Sequence, residues 1–127
     1  MKGARVLVLG DMVADIYLDG RISRISREAP VLVLEEMGER VVAGGAANVA
    51  HNAATLGGAV CAFGVLGEDA GGAGITSVLE AAGVDTSGLL TTAERPTISK
   101  TRVIAGGRAT VSQQIVRIDK ESREPLS

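Results

Sequence analysis

Apolar positions in this chain fall into short unbroken runs, and one longer segment has helical spacing. Val6-Leu7-Val8-Leu9 runs into Gly10, the pattern of a strand buried on both faces. Ile16-Tyr17-Leu18 alternates loosely and closes on Asp19-Gly20, a turn signal. Val31-Leu32-Val33-Leu34 reads as a second strand entered at Pro30, and Glu36 to Arg40 reads as polar and turn-like. Between Gly44 and Gly57 the apolar residues stand at 46, 49, 50, 53, 54 and 56, which predicts one buried helical face. Ala59 to Leu66 is a third apolar strand. Ile75, Val78, Leu79 and Ala82 then space as a second helix, ended by Gly83. Val84 to Leu90 returns the chain. Thr97 to Ile104 and Thr110 to Ile118 read as two strands joined by a hairpin turn at Ala105-Gly106-Gly107-Arg108.

Strand, helix, strand at this spacing is a right-handed crossover with parallel strands, so the fold class is α/β. Composition narrows the picture. The 127 residues are 46% apolar with 17 glycines and 2% aromatic residues, so the core is aliphatic. That composition fits a parallel sheet with helices on its faces. The chain ends on a polar stretch, Asp119 to Ser127, and a crossover sheet of two or three strands is thin. We therefore expect the N-terminal portion of a larger protein.

Charge removes several functions. A net charge of −2 gives no footprint for nucleic acid, and with so few aromatics base stacking is not expected. The single cysteine, Cys61, sits in an apolar run and reads as a small buried hydrophobe. One Cys and one His leave no zinc site. No apolar run approaches membrane-spanning length and no signal peptide opens the chain, so a cytoplasmic protein with no membrane partner is expected. P-loop, dinucleotide-binding, nucleophile-elbow and zincin motifs are all absent. His51, the sole histidine, reads as a helix-face residue rather than a catalytic base.

The candidate chemistry gathers at strand ends and glycines. Asp11 and Asp15 follow the first strand, where α/β sheets bind ligands, and their carboxylates either accept hydrogen bonds from a polyol or serve a turn and solvent. Gly44 and Gly45 either allow a ligand close to the backbone at a helix N-terminus or simply lead into a core helix. Asn48 and Asn52, four apart, share the less apolar face of that helix. Period two puts Ile98, Lys100, Arg102 and Ile104 on one strand face, either a phosphate-holding surface or the wet side of a sheet. Arg21 to Pro30, with three arginines and three serines, is either an exposed loop or an anion-binding segment.

Three strings, Gly10-Asp11…Asp15, Gly44-Gly45-Ala46-Ala47-Asn48-Val49-Ala50 and Gly64-Val65-Leu66-Gly67-Glu68-Asp69-Ala70-Gly71-Gly72, together resemble the N-terminal signature of the ribokinase-like (PfkB) carbohydrate kinases. Ser23 to Val31, Pro96 to Arg102 and Gln113 to Asp119 are similar to the D-glycero-β-D-manno-heptose-7-phosphate kinase branch, which includes the kinase half of bifunctional heptose kinase/adenylyltransferases. Arg27 stands where that branch usually carries proline. The resemblance runs from about Arg5 to Glu121. It implies the N-terminal portion of a ribokinase-like fold: a parallel-sheet core (about 4–11 and 44–92) and a small β lid (about 16–36 and 97–118), with the C-terminal ATP-binding part absent.

The implied activity is ATP-dependent phosphorylation of a sugar hydroxyl, the anomeric one of heptose 7-phosphate, on the route to lipopolysaccharide core. Asp15, Asn48 and the backbone of Gly44 and Gly45 would hold sugar hydroxyls, with Asp11 in support. Lys100 and Arg102 would meet the substrate phosphate, and Arg24 is a further candidate cation. The family's catalytic base lies downstream, so no catalytic residue and no metal ligand is assigned here. ATP and Mg²⁺ are the implied cofactors, and a homodimer through the lid is the implied assembly. Other sugar kinases of the family, of the ribose or fructose type, and a non-catalytic sugar-binding module are the competing readings.

Overall fold

The computed structural model describes residues 3–25, 32–106 and 113–122. The elements run β1 (Arg5–Leu9), β2 (Met12–Ile25), β3 (Leu32–Gly45), α1 (Ala46–Thr55), β4 (Ala59–Gly67), α2 (Ala70–Ala81), β5 (Asp85–Thr92), β6 (Ile98–Gly106) and β7 (Gln113–Lys120). They form two sheets. The first is parallel, in the order β1-β4-β5, and the second is mixed, in the order β3-β2-β6-β7.

The α/β expectation holds, but the parallel crossover is β4–α2–β5 and not the expected one around α1, because β3, the strand before α1, lies in the mixed sheet while β4 lies in the parallel one. Both helices pack on the parallel sheet, and α1 also meets β3 while α2 meets β2 and β3. On β1, Val8 faces this layer and is buried, whereas Leu7 and Leu9 point the other way and are exposed. Helices on both faces were expected from composition. Among the described residues one face of the parallel sheet is left bare.

The second sheet is longer than the pattern suggested. β2 and β3 are each 14 residues long. The Asp19-Gly20 pair is not a turn: the strand continues through it with a register shift against β3. Glu36 to Arg40 is also strand, not turn, paired to Gly20 through Tyr17. The reason is position: β3 is an edge strand, where charged outward side chains are tolerated and guard against further pairing. Arg21 to Ile25 lies in β2 rather than in a loop. The strands expected over 16–36 thus begin at Met12 and reach Gly45. Pro30, Gly107 and Arg108 of the expected turn, and the start of the last strand lie outside the described residues, while Ala105 and Gly106, also expected in that turn, belong to β6. β6 and β7 pair antiparallel, as a hairpin requires.

The core joins both sheets. Val8, Val60, Leu66, Ile75 and Leu79 pack with Met12 and with alanines 14, 43, 47, 50, 53 and 62. The buried stripe of α1 is Ala47, Ala50 and Ala53, whereas Val49 and Leu56, expected inside, are 56% and 66% exposed. Small residues win these positions because α1 is closely flanked by β1, β3, β4 and α2. Helix α2 buries Gly72, Ile75 and Leu79 and is followed by Gly83 at φ 85°, a backbone conformation that favours glycine. Among the described residues no helix is long and apolar enough to cross a membrane.

Candidate functional site

Four chain segments meet where β1 ends, β2 begins, β3 ends and α1 begins. The register places Met12 opposite Gly45 and Val13 opposite Gly44. The Ala46 N–H donates to the Asp11 carbonyl at 2.9 Å, so the first peptide of α1 is fastened to the end of β1. Gly45 holds φ 57° and ψ −134°, and a Cβ there would lie 2.6 Å from that same carbonyl. Glycine is therefore required twice over, by conformation and by space. Helix α1 has no side-chain N-cap and no acidic residue in its first turn. Its N-terminal end accordingly offers N–H groups and a partial positive charge to an outside acceptor.

The Asp15 carboxylate lies over Gly44. A Cβ on Gly44 would meet Asp15 Oδ2 at 2.5 Å. The other oxygen, Oδ1, accepts from Arg102 Nη1 at 3.1 Å, and both side chains are about three-quarters buried, at 23% and 24% exposure. Strand pairing brings this about: β2 and β6 run parallel, with Asp15 beside Lys100 and Tyr17 beside Arg102. The Tyr17 ring carries two guanidinium groups, Arg40 at 4.7 Å and Arg102 at 5.6 Å from its centroid. Lys100 is half-buried, stands between Asp15 on β2 and Asp119 on β7 in register, and makes no ion pair among the described residues.

The expected residues therefore divide into neighbouring groups. Asp15, Gly44, Arg102 and Lys100 share one face of the mixed sheet. Asp11 and Gly45 meet through the backbone at the foot of α1, where Asn48 is exposed and its Oδ1 lies 3.5 Å from Asn52 Nδ2. The Asp11 side chain itself is exposed and lines a cleft of about 220 Å³ with Gly10, Gly64, Arg95 and Ile98. This cleft opens at the C-terminal end of β1, the usual place for a ligand in an α/β sheet. A larger hollow of about 380 Å³, lined by Arg5, Leu7, Cys61 and Asp85, lies instead at the N-terminal ends of β1 and β4. The backbone of Arg24 pairs with Val33, and its side chain lies outside the described residues.

Sequence reasoning missed two parts of this region. Tyr17 and Arg40 could have been found by extending the period of two along β2 and β3. Asp69 could have been found as an Asp directly before a helix. Its Oδ1 accepts from Gly72 N at 2.9 Å and from the Thr97 hydroxyl at 2.6 Å, and its Oδ2 accepts from Thr97 N at 2.9 Å. Burial pushes the Asp69 carboxyl up, but these bonds and the charge of Lys120 outweigh it and hold the group below its ordinary value.

Cys61 is half-buried rather than buried. Its thiol donates to Asp85 Oδ2 at 3.3 Å. That bond, then burial and the carboxylate charge, raise the thiol above its ordinary value. Asp85 is held low, chiefly by the Ser87 N–H. A Cys in an apolar run gave no hint of a carboxylate 24 residues away.

Comparison with known proteins gives this arrangement a context. The chain is 48% identical over 123 residues to a protein named bifunctional protein HldE from Helicobacter pylori strain P12, covering 97% of this chain and 26% of the relative. It is also 48% identical over 119 residues to a bifunctional protein HldE from Azorhizobium caulinodans, covering 93% of this chain and 24% of that one. The chain thus spans about a quarter of the length of these relatives. Among solved structures, a carbohydrate kinase from Agrobacterium tumefaciens superposes with a TM-score of 0.69 at 26% identity, over 94% of this chain and 36% of that one. An Arabidopsis thaliana ribokinase, solved with ribose and ATP, gives 0.64 at 24% identity over 94% and 36%, and shows the fold alone. The two-sheet arrangement is therefore a fragment of a ribokinase-like α/β fold. Residues 4–122 match the model of the pfkB family of carbohydrate kinases, and the chain belongs to that family.

Proposed function

We propose that this chain is the sugar-holding part of a kinase that moves the γ-phosphoryl group of ATP to the anomeric hydroxyl of D-glycero-β-D-manno-heptose 7-phosphate, giving the 1,7-bisphosphate. The observation that carries the reading is the 48% identity to HldE, together with the strings at Ser23 to Val31 and Gln113 to Asp119. The site's geometry supports a sugar substrate. Asp15, pinned by Arg102 against Gly44, is an acceptor already oriented, and a carboxylate has lone pairs left after one such bond. Gly44, Gly45, Asn48 and Asp11 supply backbone and side-chain partners around it.

For the substrate phosphate, the pairing redistributes the roles. The charge of Arg102 is largely spent on Asp15, so Lys100 is the cation better placed to take a dianion, and the remaining N–H groups of Arg102 assist. ATP supplies the transferred group, and structural relatives include ribokinases solved with ATP or ADP. No group of three metal-ligating side chains converges among the described residues, so we assign Mg²⁺ no ligand in this chain. Phosphoryl transfer rests on positioning and neutralised charge. This part holds the acceptor, and the base and nucleotide loops are expected downstream. We place the reaction in the cytoplasm, in a homodimer joined through the lid, where β7 presents Val116 and Ile118 exposed at a sheet edge.

A ribose- or fructose-type kinase is the second reading, favoured by structural relatives described as a ribokinase and a fructokinase. A substrate panel on the longer protein carrying this chain separates the two. Heptose 7-phosphate is expected to be preferred, and a preference for an unphosphorylated pentose or hexose would end the heptose reading. In that protein Asp15→Ala removes a charge-assisted bond worth about 1.5–3 kcal/mol, so the sugar KM is expected to rise about tenfold or more. The 127-residue chain alone is expected to form no ADP above a blank.

A further inference from the structure

We infer that Asp69 is a positioning residue: it latches the first turn of α2 to the residue just before β6, and so fixes where Lys100 and Arg102 stand opposite Asp15 and Tyr17. The latch stands on geometry alone, and its bearing on substrate rests on the kinase reading above.

Strand β6 needs such a device. It lies parallel to β2, so no hairpin between the two sets their register, and it is reached from β5 through residues 93–97. A slip of one residue would turn Lys100 and Arg102 to the opposite face. At the entry to β6, Thr97 is 3% exposed and fully engaged. Its N–H and its hydroxyl both donate to the Asp69 carboxylate, at 2.9 and 2.6 Å. The hydroxyl oxygen in turn accepts from Gly67 N at 2.9 Å. Asp69 closes the knot by capping Gly72 N at 2.9 Å. Both glycines are fitted to Thr97. A Cβ on Gly67 would lie 2.5 Å from Thr97 N, and one on Gly72 would lie 2.9 Å from Thr97 Oγ1 and 2.5 Å from the Gly67 carbonyl. The end of β4, the start of α2 and the start of β6 are thereby locked to one carboxylate. From Thr97 the ladder runs on to Val13–Ile98, Asp15–Lys100 and Tyr17–Arg102.

Two substitutions separate the latch from the helix cap. Asn is as good an N-cap as Asp, so Asp69→Asn can keep its oxygen on the Gly72 N–H, but its NH₂ then faces the Thr97 N–H, donor against donor. Thr97→Val keeps the shape of Thr97 and removes its hydroxyl, and Thr97→Ser restores that group. The measurement is amide hydrogen exchange on the 127-residue chain. Amides of residues 98–103 are expected to exchange about tenfold faster in Asp69→Asn and in Thr97→Val, with Thr97→Ser at the wild-type rate and the α2 amides of Asp69→Asn unmoved. Unchanged β6 amides in both variants, or β6 and α2 accelerating equally in Asp69→Asn, would overturn the latch. If Asp69→Asn does not fold, the Thr97→Val and Thr97→Ser pair decides alone.

In the longer kinase the same Asp69→Asn is expected to raise the KM for heptose 7-phosphate about tenfold and leave the KM for ATP in place. Equal rises in both would reduce Asp69 to a fold residue. Should that protein instead take an unphosphorylated sugar, the kinase reading fails on its substrate while the exchange result still decides the latch.

Discussion

Gly44 and Gly45 are adjacent and are glycine for different reasons. Gly45 holds a φ of 57° and sits against the Asp11 carbonyl, so any side chain there strains backbone on both sides. Gly44 is hemmed chiefly by the end of a side chain, Asp15 Oδ2, with the Val13 carbonyl farther off at 3.3 Å. Gly45→Ala is therefore expected to cost about 1–3 kcal/mol of stability, read by denaturant unfolding. Gly44→Ala is expected to cost less, because the Asp15 carboxylate can swing aside. That swing breaks its bond to Arg102, so the Gly44 variant should lose sugar affinity out of proportion to stability. Equal unfolding midpoints for the two variants would show that the carbonyl beneath Gly45 yields as easily as a side chain does.

Helix α1 shows how far periodicity carries and where it stops. A helix between Gly44 and Gly57 was legible from the apolar spacing, and so was the shared face of Asn48 and Asn52. Of the positions expected inside, Ala50 and Ala53 are buried and Ala46 and Ala54 pack against the core, whereas Val49 and Leu56 are exposed and Ala47 is buried in their place. The sequence favoured Val49 and Leu56 over Ala47, because hydrophobicity counts while closeness of approach is invisible to it. A test follows from the burial. Leu79→Ala on α2, at 0% exposure, is expected to cost about 2–5 kcal/mol, whereas Val49→Ala on α1 should stay within about 0.5 kcal/mol in the same denaturant series. A large cost for Val49→Ala would place it in the core after all. The strands were legible wherever both faces are apolar, as in β1 and β4. The full lengths of β2 and β3 were not, since an edge strand may be polar without ceasing to be a strand, and Asp19-Gly20 absorbs a register shift where turn chemistry suggested a reversal. Asp15 and Arg102 were both legible as candidates. That they pair with each other follows only from the parallel register of β2 and β6.

The two sheets share one core, yet among the described residues the parallel sheet keeps an apolar face uncovered. The register shows that this face is continuous. Leu7 lies beside Cys61, Leu9 beside Phe63, and Val65 beside Leu90, so the exposed leucines at 66%, 76% and 65% flank a half-buried middle strand. Single exposed leucines are ordinary, but a contiguous patch across three strands is not. In the 127-residue chain such a patch is expected to bind an environment-sensitive apolar dye such as anilinonaphthalene sulfonate. Leu7→Gln with Leu9→Gln should lower that fluorescence strongly. Because both side chains point away from Val8 and the helices, the double variant should lose no more than about 1 kcal/mol of stability. Dye binding that survives the substitutions would place the apolar surface elsewhere, and a variant that unfolds would show that these leucines already serve the fold. The patch reaches the site at one place, since Leu9 and Val65 also line the cleft beside Asp11, whereas Asp15, Lys100 and Arg102 stand on the mixed sheet.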